Sequence, residues 1–164
     1  MASEVNPRIW IAAKFVEKKV MQEIRTEIII DAPKEIVWDI LNDFKNYASW
    51  NPFITSIEEN GPNKLKVNIK PNNGKAMLFK PLILNKEANT ELRWLGHLFI
   101  PGLFDGEHYF HLEELEKDRT RFVHGEKFSG ILSGILLKKI GEDTEASFHT
   151  MNHAIKNRSE KEMS

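Results

Sequence analysis

The side chains best equipped for chemistry are concentrated in two short segments. Glu107-His108-Tyr109-Phe110-His111-Leu112 and Arg121-Phe122-Val123-His124-Gly125-Glu126-Lys127-Phe128 both change character from one residue to the next. That is the period of a β-strand with one buried face. The even positions are His108, Phe110 and Leu112 in the first run, and Phe122, His124, Glu126 and Phe128 in the second. This face is apolar apart from His108, His124 and Glu126, and burying such groups costs free energy unless each finds a partner or water. Three roles fit the patch. It can be a satisfied structural network, with Glu126 accepting from a histidine or a tryptophan. It can orient a hydroxyl, carbonyl or amine of a ligand inside an apolar cavity. It can also be catalytic, with Glu126 as a base whose pKa burial raises and His124 or His108 as the acid. A zinc site of this composition would match no standard ligand spacing, so no metal is expected.

All three roles require the two even sets to share one face, which depends on the connection between the strands. An odd loop such as Lys117-Asp118-Arg119 would place His108 opposite Phe128, Phe110 opposite Glu126 and Leu112 opposite His124. An even loop would separate the sets unless a bulge intervened. An odd loop or a bulge is therefore expected.

The remaining elements must position this hairpin. Glu23 to Asp31 reads as a strand rich in isoleucine. Asp31-Ala32-Pro33-Lys34-Glu35 has the composition of a helix start, with Asp31 as the candidate cap. A second short helix is expected over Asp43 to Tyr47, ending at Trp50-Asn51-Pro52-Phe53, where Trp50 and Phe53 read as wedges. Strands follow over Ile54 to Glu59, Leu65 to Lys70, Ala76 to Leu84 and Leu92 to Leu98. Pro81 argues for an edge or a bulge in the third of these, and Gly96 for room beneath the sheet. The loop Pro101 to Gly106 carries Leu103 and Phe104, which should fold over something apolar at a cavity mouth. From Ile131 the period becomes helical, and Ile135, Leu136, Ile140, Thr144, Phe148, Met151 and Ile155 extend one stripe. Gly134 and Gly141 suggest a kink or a split, and the charged tail after Asn157 should fray. The resulting class is α+β. A curved seven-stranded antiparallel sheet, with two short helices after its first strand, grips a long C-terminal helix over its concave face.

Composition narrows the function. The chain has 164 residues, enough for one domain, here residues 21–164, preceded by an extension over 1–20 that reads as a short amphipathic helix or else as a loose extension. A net charge of -1 gives no electrostatic reason to expect nucleic acid. The absence of cysteine excludes disulfides, thiolate metal sites and a cysteine nucleophile, and fits a cytoplasmic setting. No apolar run reaches membrane-spanning length, and Ile9 to Ala13 is too short for a secretory h-region. No G-x-G-x-x-G, P-loop or G-x-S-x-G motif occurs, so no nucleotide cofactor is expected. His149 and His153 are spaced i, i+4 but lack the glutamate of H-E-x-x-H.

The chain resembles the START/Bet v 1-like superfamily, the helix-grip domains that include polyketide cyclase/dehydrase and lipid-transport relatives. The residues that carry the likeness include Ile30-Asp31-Ala32-Pro33 with Val37-Trp38, Trp50-Asn51-Pro52-Phe53 and Leu92-Arg93-Trp94. Pro101-Gly102-Leu103-Phe104-Asp105-Gly106-Glu107-His108, Thr120-Arg121-Phe122 and Glu126-Lys127-Phe128-Ser129-Gly130 complete it. The resemblance covers about residues 23 to 157 and is closest to the small bacterial stand-alone members. It implies a hydrophobic cavity under the C-terminal helix, with ligands from lipids to polyketides. The residues expected to meet the ligand are Trp94, Phe104, His108, Phe110, Phe122, His124, Glu126, Phe128, Phe148 and Met151. Three functions stay open: a binder of a small hydrophobic molecule, a cyclase or dehydratase using Glu126, His124 and His108, and a protein-interaction module. Either a monomer or a homodimer is compatible with the sequence.

Overall fold

The computed structural model describes residues 21–164, so the helix expected over residues 1–20 lies outside the described part. Strand β1 (Gln22–Ile30) leads into helix α1 (Lys34–Asn42) and a 3-10 helix (Phe44–Ser49). Strands β2 (Ile54–Glu59), β3 (Leu65–Ile69), β4 (Met77–Phe79) and β5 (Leu82–Glu87) come next. Then follow β6 (Glu91–Leu98), β7 (Phe104–Glu116), β8 (Arg119–Ser129) and the long helix α2 (Ser133–Glu162). The class is α+β, as expected.

The sheet differs from the expectation of seven continuous strands. β1-β8-β7-β6-β5 form one antiparallel sheet and β2-β3-β4 a second. Pro81 is the cause. It has no N–H to give to a ladder, and the expected strand Ala76 to Leu84 splits around it into β4, which pairs with β3, and β5, which pairs with β6. The two sheets stay joined at the break. Leu65 N–H donates to the Pro81 carbonyl at 3.0 Å, and Ile83 N–H to that of Asn63 at 2.7 Å.

The hairpin register explains how the even faces coincide. His108 lies opposite Glu126, Phe110 opposite His124 and Leu112 opposite Phe122. The pairs expected from an odd loop are thus each displaced by two residues. The turn is even, Lys117-Asp118, and the register shifts between Glu114 and Glu116 instead. A bulge at Leu115 restores the common face that the turn alone would have destroyed. Pairing extends this face into cross-strand rows: Ile24, Glu126, His108, Trp94 and Ile83 form one, and Thr26, His124, Phe110 and Leu92 the next.

Pro33, not Asp31, occupies the cap position of α1, at φ -58° and ψ 147°. The Asp31 backbone N–H is bound instead by Glu160 Oε1 of α2 at 2.9 Å. Tyr47 of the 3-10 helix is fully buried and donates its hydroxyl to the Leu41 carbonyl. At the following corner Asn51 Oδ1 accepts from the N–H groups of Phe53 and Ile54, at 3.0 and 2.8 Å, which turns Phe53 inward.

Helix α2 runs unbroken through Gly134 and Gly141, and it does not fray after Asn157. Lys156 Nζ donates to the Ile29 carbonyl at 2.8 Å, and Ser159 is fully buried. The expected apolar stripe is used in two ways. Phe148, Met151 and Ile155 are completely buried, whereas Ile131 and Ile135 are 83% and 62% exposed. The C-terminal half packs on β1 and α1, while the N-terminal half overhangs open space.

Candidate functional site

That open space is a cavity of about 390 Å³ between the inner sheet face and the N-terminal half of α2. Trp94, Gly96, Leu98, Phe104, Gly106, His108, Glu126 and Phe128 form its floor. Phe53, Ile54, Val67, Ile69, Met77 and Phe79 close one side, and Leu136, Lys139, Ile140, Asp143 and Thr144 overhang it. The volume falls within the usual range for small-molecule sites, and the lining is mostly apolar with a few polar groups.

Of the residues expected to meet a ligand, Trp94, Phe104, His108, Glu126 and Phe128 line this space. Phe110, Phe122, His124, Phe148 and Met151 do not line it, and all five are fully buried. One sheet face therefore serves two purposes. Phe148 of α2 seals one end into dry core, packing on Phe53 at a centroid distance of 5.6 Å and on His124 at 3.9 Å. At the other end Gly96 and Gly106 face each other across β6 and β7; Gly96 leaves open room beside Phe79 and Pro81, and the space over Gly106 is taken by the Glu126 carboxylate at the cavity floor. The loop expected at the mouth ends earlier than anticipated, because Phe104, Asp105 and Gly106 already belong to β7. Sequence reasoning missed the wall from Phe53 to Phe79. The alternation Leu65, Val67, Ile69 marked a buried face there without showing what that face would meet.

The polar groups form a single chain running from the cavity into the core. His108 Nδ1 lies 3.4 Å from Glu126 Oε2, a long contact by hydrogen-bond standards. His108 Nε2 and His124 Nε2 are 3.0 Å apart, and His124 Nδ1 is 2.9 Å from Asn152 Oδ1 of α2. Asn152 Nδ2 donates to Thr26 Oγ1 at 2.9 Å, and Thr26 Oγ1 donates to the His124 carbonyl at 3.1 Å. Neither Asn152 nor Thr26 was singled out from the sequence. Spacing within one segment cannot reveal partners 126 residues apart.

Packing holds both rings in place. His108 stacks on Trp94, nearly parallel at 5.1 Å, and meets Phe110 and Phe148 edge-on. Burial pushes the His124 pKa well below its ordinary 6.5, and the charge of neighbouring His108 adds to this against the opposing Asn152 hydrogen bond. His124 is thus a neutral, enclosed link, and His108 and Glu126 are the members that reach the cavity. The Glu126 side chain is 20% exposed. Its carboxylate lies over Gly106, where a β-carbon would stand only 2.1 Å from Oε1. The glycine is what admits the carboxylate.

The remaining histidines make no hydrogen bond to this chain. His97 pairs with Asp105 at 2.7 Å, and His111 lies opposite Glu91 and Val123 in the sheet. His149 and His153 are exposed on α2, where the charge of His149 adds a lesser push on the His124 pKa. Among the described residues no group of three metal-ligating side chains is placed to hold an ion.

A long helix laid over a sheet that keeps an apolar hollow between them defines a helix-grip, START-like domain. Residues 21–134 match the model of the polyketide cyclase/dehydrase and lipid transport family, and the chain belongs to that family. The Zhui aromatase/cyclase from Streptomyces sp. R1128 superposes with a TM-score of 0.72 at 15% identity, over 88% of this chain and 96% of that one. A START superfamily protein from Mycobacterium smegmatis gives 0.67 at 19% identity, over 85% and 97%. A norcoclaurine synthase point mutant from Thalictrum flavum gives 0.69 at 13% identity, over 89% and 98%. At these identities the likeness is one of fold. No curated protein sequence matches the chain.

Proposed function

We propose that this protein binds one small, mostly apolar molecule in the cavity beneath the N-terminal half of α2. The observation that carries the reading is the cavity itself, about 390 Å³ with a mostly aromatic and aliphatic lining, His108 and Glu126 on its floor and Lys139, Asp143 and Thr144 on the overhanging helix. Trp94, Phe104 and Phe128 supply flat apolar surface, and His108 with Glu126 orients the ligand's polar end. Phe110, Phe122, His124, Phe148 and Met151 belong to the buried core beside that wall. The family match, which spans polyketide and lipid chemistry, agrees with such a cargo. We place the protein in the cytoplasm as a monomer or homodimer, without a nucleic-acid partner, a reading its cysteine-free and near-neutral composition supports. No helix among the described residues is long and apolar enough to cross a membrane.

Catalysis in the same cavity, as a cyclase or dehydratase, is the second reading. The nearness of His108 to Glu126 favours it, since such a pair can pass a proton to a bound substrate. Native mass spectrometry of protein purified from its own host tests the first reading by detecting a retained small molecule. Leu136→Trp and Ile140→Trp, which fill the overhanging wall, should abolish that adduct while leaving the melting transition intact. Retention of the same molecule by both variants would place its site elsewhere. Glu126→Gln then separates the two readings: an enzyme loses turnover and keeps its ligand, whereas a binder changes affinity alone.

A further inference from the structure

The direction of each hydrogen bond from Thr26 as far as His108 can be settled by elimination. A carbonyl oxygen only accepts, so the single hydroxyl proton of Thr26 is committed to the His124 carbonyl. Thr26 Oγ1 must then accept from Asn152, which fixes the amide with Nδ2 toward Thr26 and Oδ1 toward His124. Asn152 Oδ1 only accepts as well, so His124 carries its proton on Nδ1. A neutral, fully buried imidazole protonated there has a bare Nε2. The proton between the two rings therefore belongs to His108 Nε2.

This leaves His108 Nδ1 facing Glu126 Oε2 at 3.4 Å. A bare imidazole nitrogen and a bare carboxylate oxygen repel. We propose that the His108–Glu126 pair holds one extra proton at the cavity wall, and that Thr26 and Asn152 are the positioning residues that put it there. Whether that proton sits on the imidazole or the carboxyl, it lies between His108 and Oε2. Oε1 stands over Gly106 and makes no hydrogen bond to another described residue, and Glu126 and Gly106 both line the cavity. Resting on the binding function proposed above, this defines the ligand class: an apolar molecule whose tip is a hydrogen-bond donor, such as a phenol, an enol or an alcohol. Trp94, stacked on His108 in the same cross-strand row, provides the surface on which such a ring would lie.

Two measurements test this separately. In protein labelled with 15N at histidine, two-bond proton–nitrogen correlations at neutral pH report which ring nitrogen carries hydrogen. The expected result is His124 protonated on Nδ1 alone and His108 protonated on Nε2, with Nδ1 protonated or shifted by a hydrogen bond. In Asn152→Leu the His124 pattern should change, and in Thr26→Val, the milder substitution, it should become a mixture. A His124 protonated on Nε2 in the unaltered protein, or a His108 with a bare Nε2, overturns the assignment. For the ligand class, 1-naphthol and 1-methoxynaphthalene are titrated against Trp94-containing protein by fluorescence. The naphthol should bind on the order of tenfold tighter, the worth of one hydrogen bond at the upper end of the neutral range, and Glu126→Leu should erase the difference. Equal binding of both probes overturns the donor assignment and leaves the cavity reading standing. Absence of binding by either probe counts against the cavity reading, while the nitrogen correlations still decide the protonation.

Discussion

Gly106→Ala is the sharpest probe of the site. The added methyl would stand 2.1 Å from Glu126 Oε1, and ordinary contact begins near 3.4 Å, so the oxygen must withdraw by about 1.3 Å. The backbone need not move, because the obstructing atom is the end of a flexible side chain. Two effects then oppose each other. Alanine in place of a strand glycine stabilises by roughly 0.5–1 kcal/mol through the unfolded chain. Withdrawal of the carboxylate weakens its contact with His108, at a cost of about 1 kcal/mol for a long, partly exposed charged hydrogen bond. The single variant should therefore be nearly neutral, and the coupling is the informative quantity. In a Glu126→Ala background the obstruction is gone, and Gly106→Ala should become plainly stabilising. Urea denaturation of all four proteins at neutral pH, with equal m-values, should give a coupling of about 1 kcal/mol, the cost of the displaced contact, since the glycine-to-alanine gain is common to both backgrounds. A coupling within about 0.3 kcal/mol of zero, the noise of independent sites, would refute the claim that Gly106 admits the carboxylate.

Three further outcomes are expected. His124 stays neutral when folded but protonates in the unfolded chain below about 6.5, so the unfolded state binds more protons. Stability is then retained above that pH and falls below it, by up to about 1.4 kcal/mol per pH unit. Denaturation of a His124→Asn variant between pH 6.5 and 5 should show a correspondingly flatter dependence. On the outer sheet face the Tyr109 ring lies over Gly125, where a β-carbon would stand 2.4 Å from Cζ. Gly125→Ala should lower stability by about 1–3 kcal/mol, and the melting curve of Gly125→Ala combined with Tyr109→Ala should show that penalty gone. A chain ending at Asn157 loses buried Ser159 and the Glu160 contacts to Asp31 and Lys156. It should melt several degrees lower by circular dichroism, whereas a frayed tail would leave the midpoint unchanged.

The local alternation of β7 and β8, the helical period after Gly130 and the punctuation at Pro33, Pro52 and Pro81 were all legible in the chain itself. They report backbone period and turn chemistry, which neighbouring residues determine. They sufficed for an α+β fold with its sheet under a long helix, and for His108, His124 and Glu126 sharing one face. Distant pairing lay beyond them. Whether Pro81 bends one strand or divides two sheets depends on which neighbours take up the freed backbone groups, here Leu65 and Asn63. The register of His108 on Glu126 depends on a bulge at Leu115 that no residue type announces. A frayed tail was a fair expectation from charge alone, and it became ordered helix because Asp31 and Ile29 offered it backbone partners.

The same division runs through the site. Residue types alone marked an apolar sheet face carrying two imidazoles and a carboxylate. Only tertiary structure decided that Phe148 seals His124 into the core while Gly96 and Gly106 hold His108 and Glu126 at an open wall. The physical reason is that a period-2 pattern says which face a residue joins. What covers that face, a phenyl ring at one end and empty space at the other, is settled by a helix arriving from the far end of the chain.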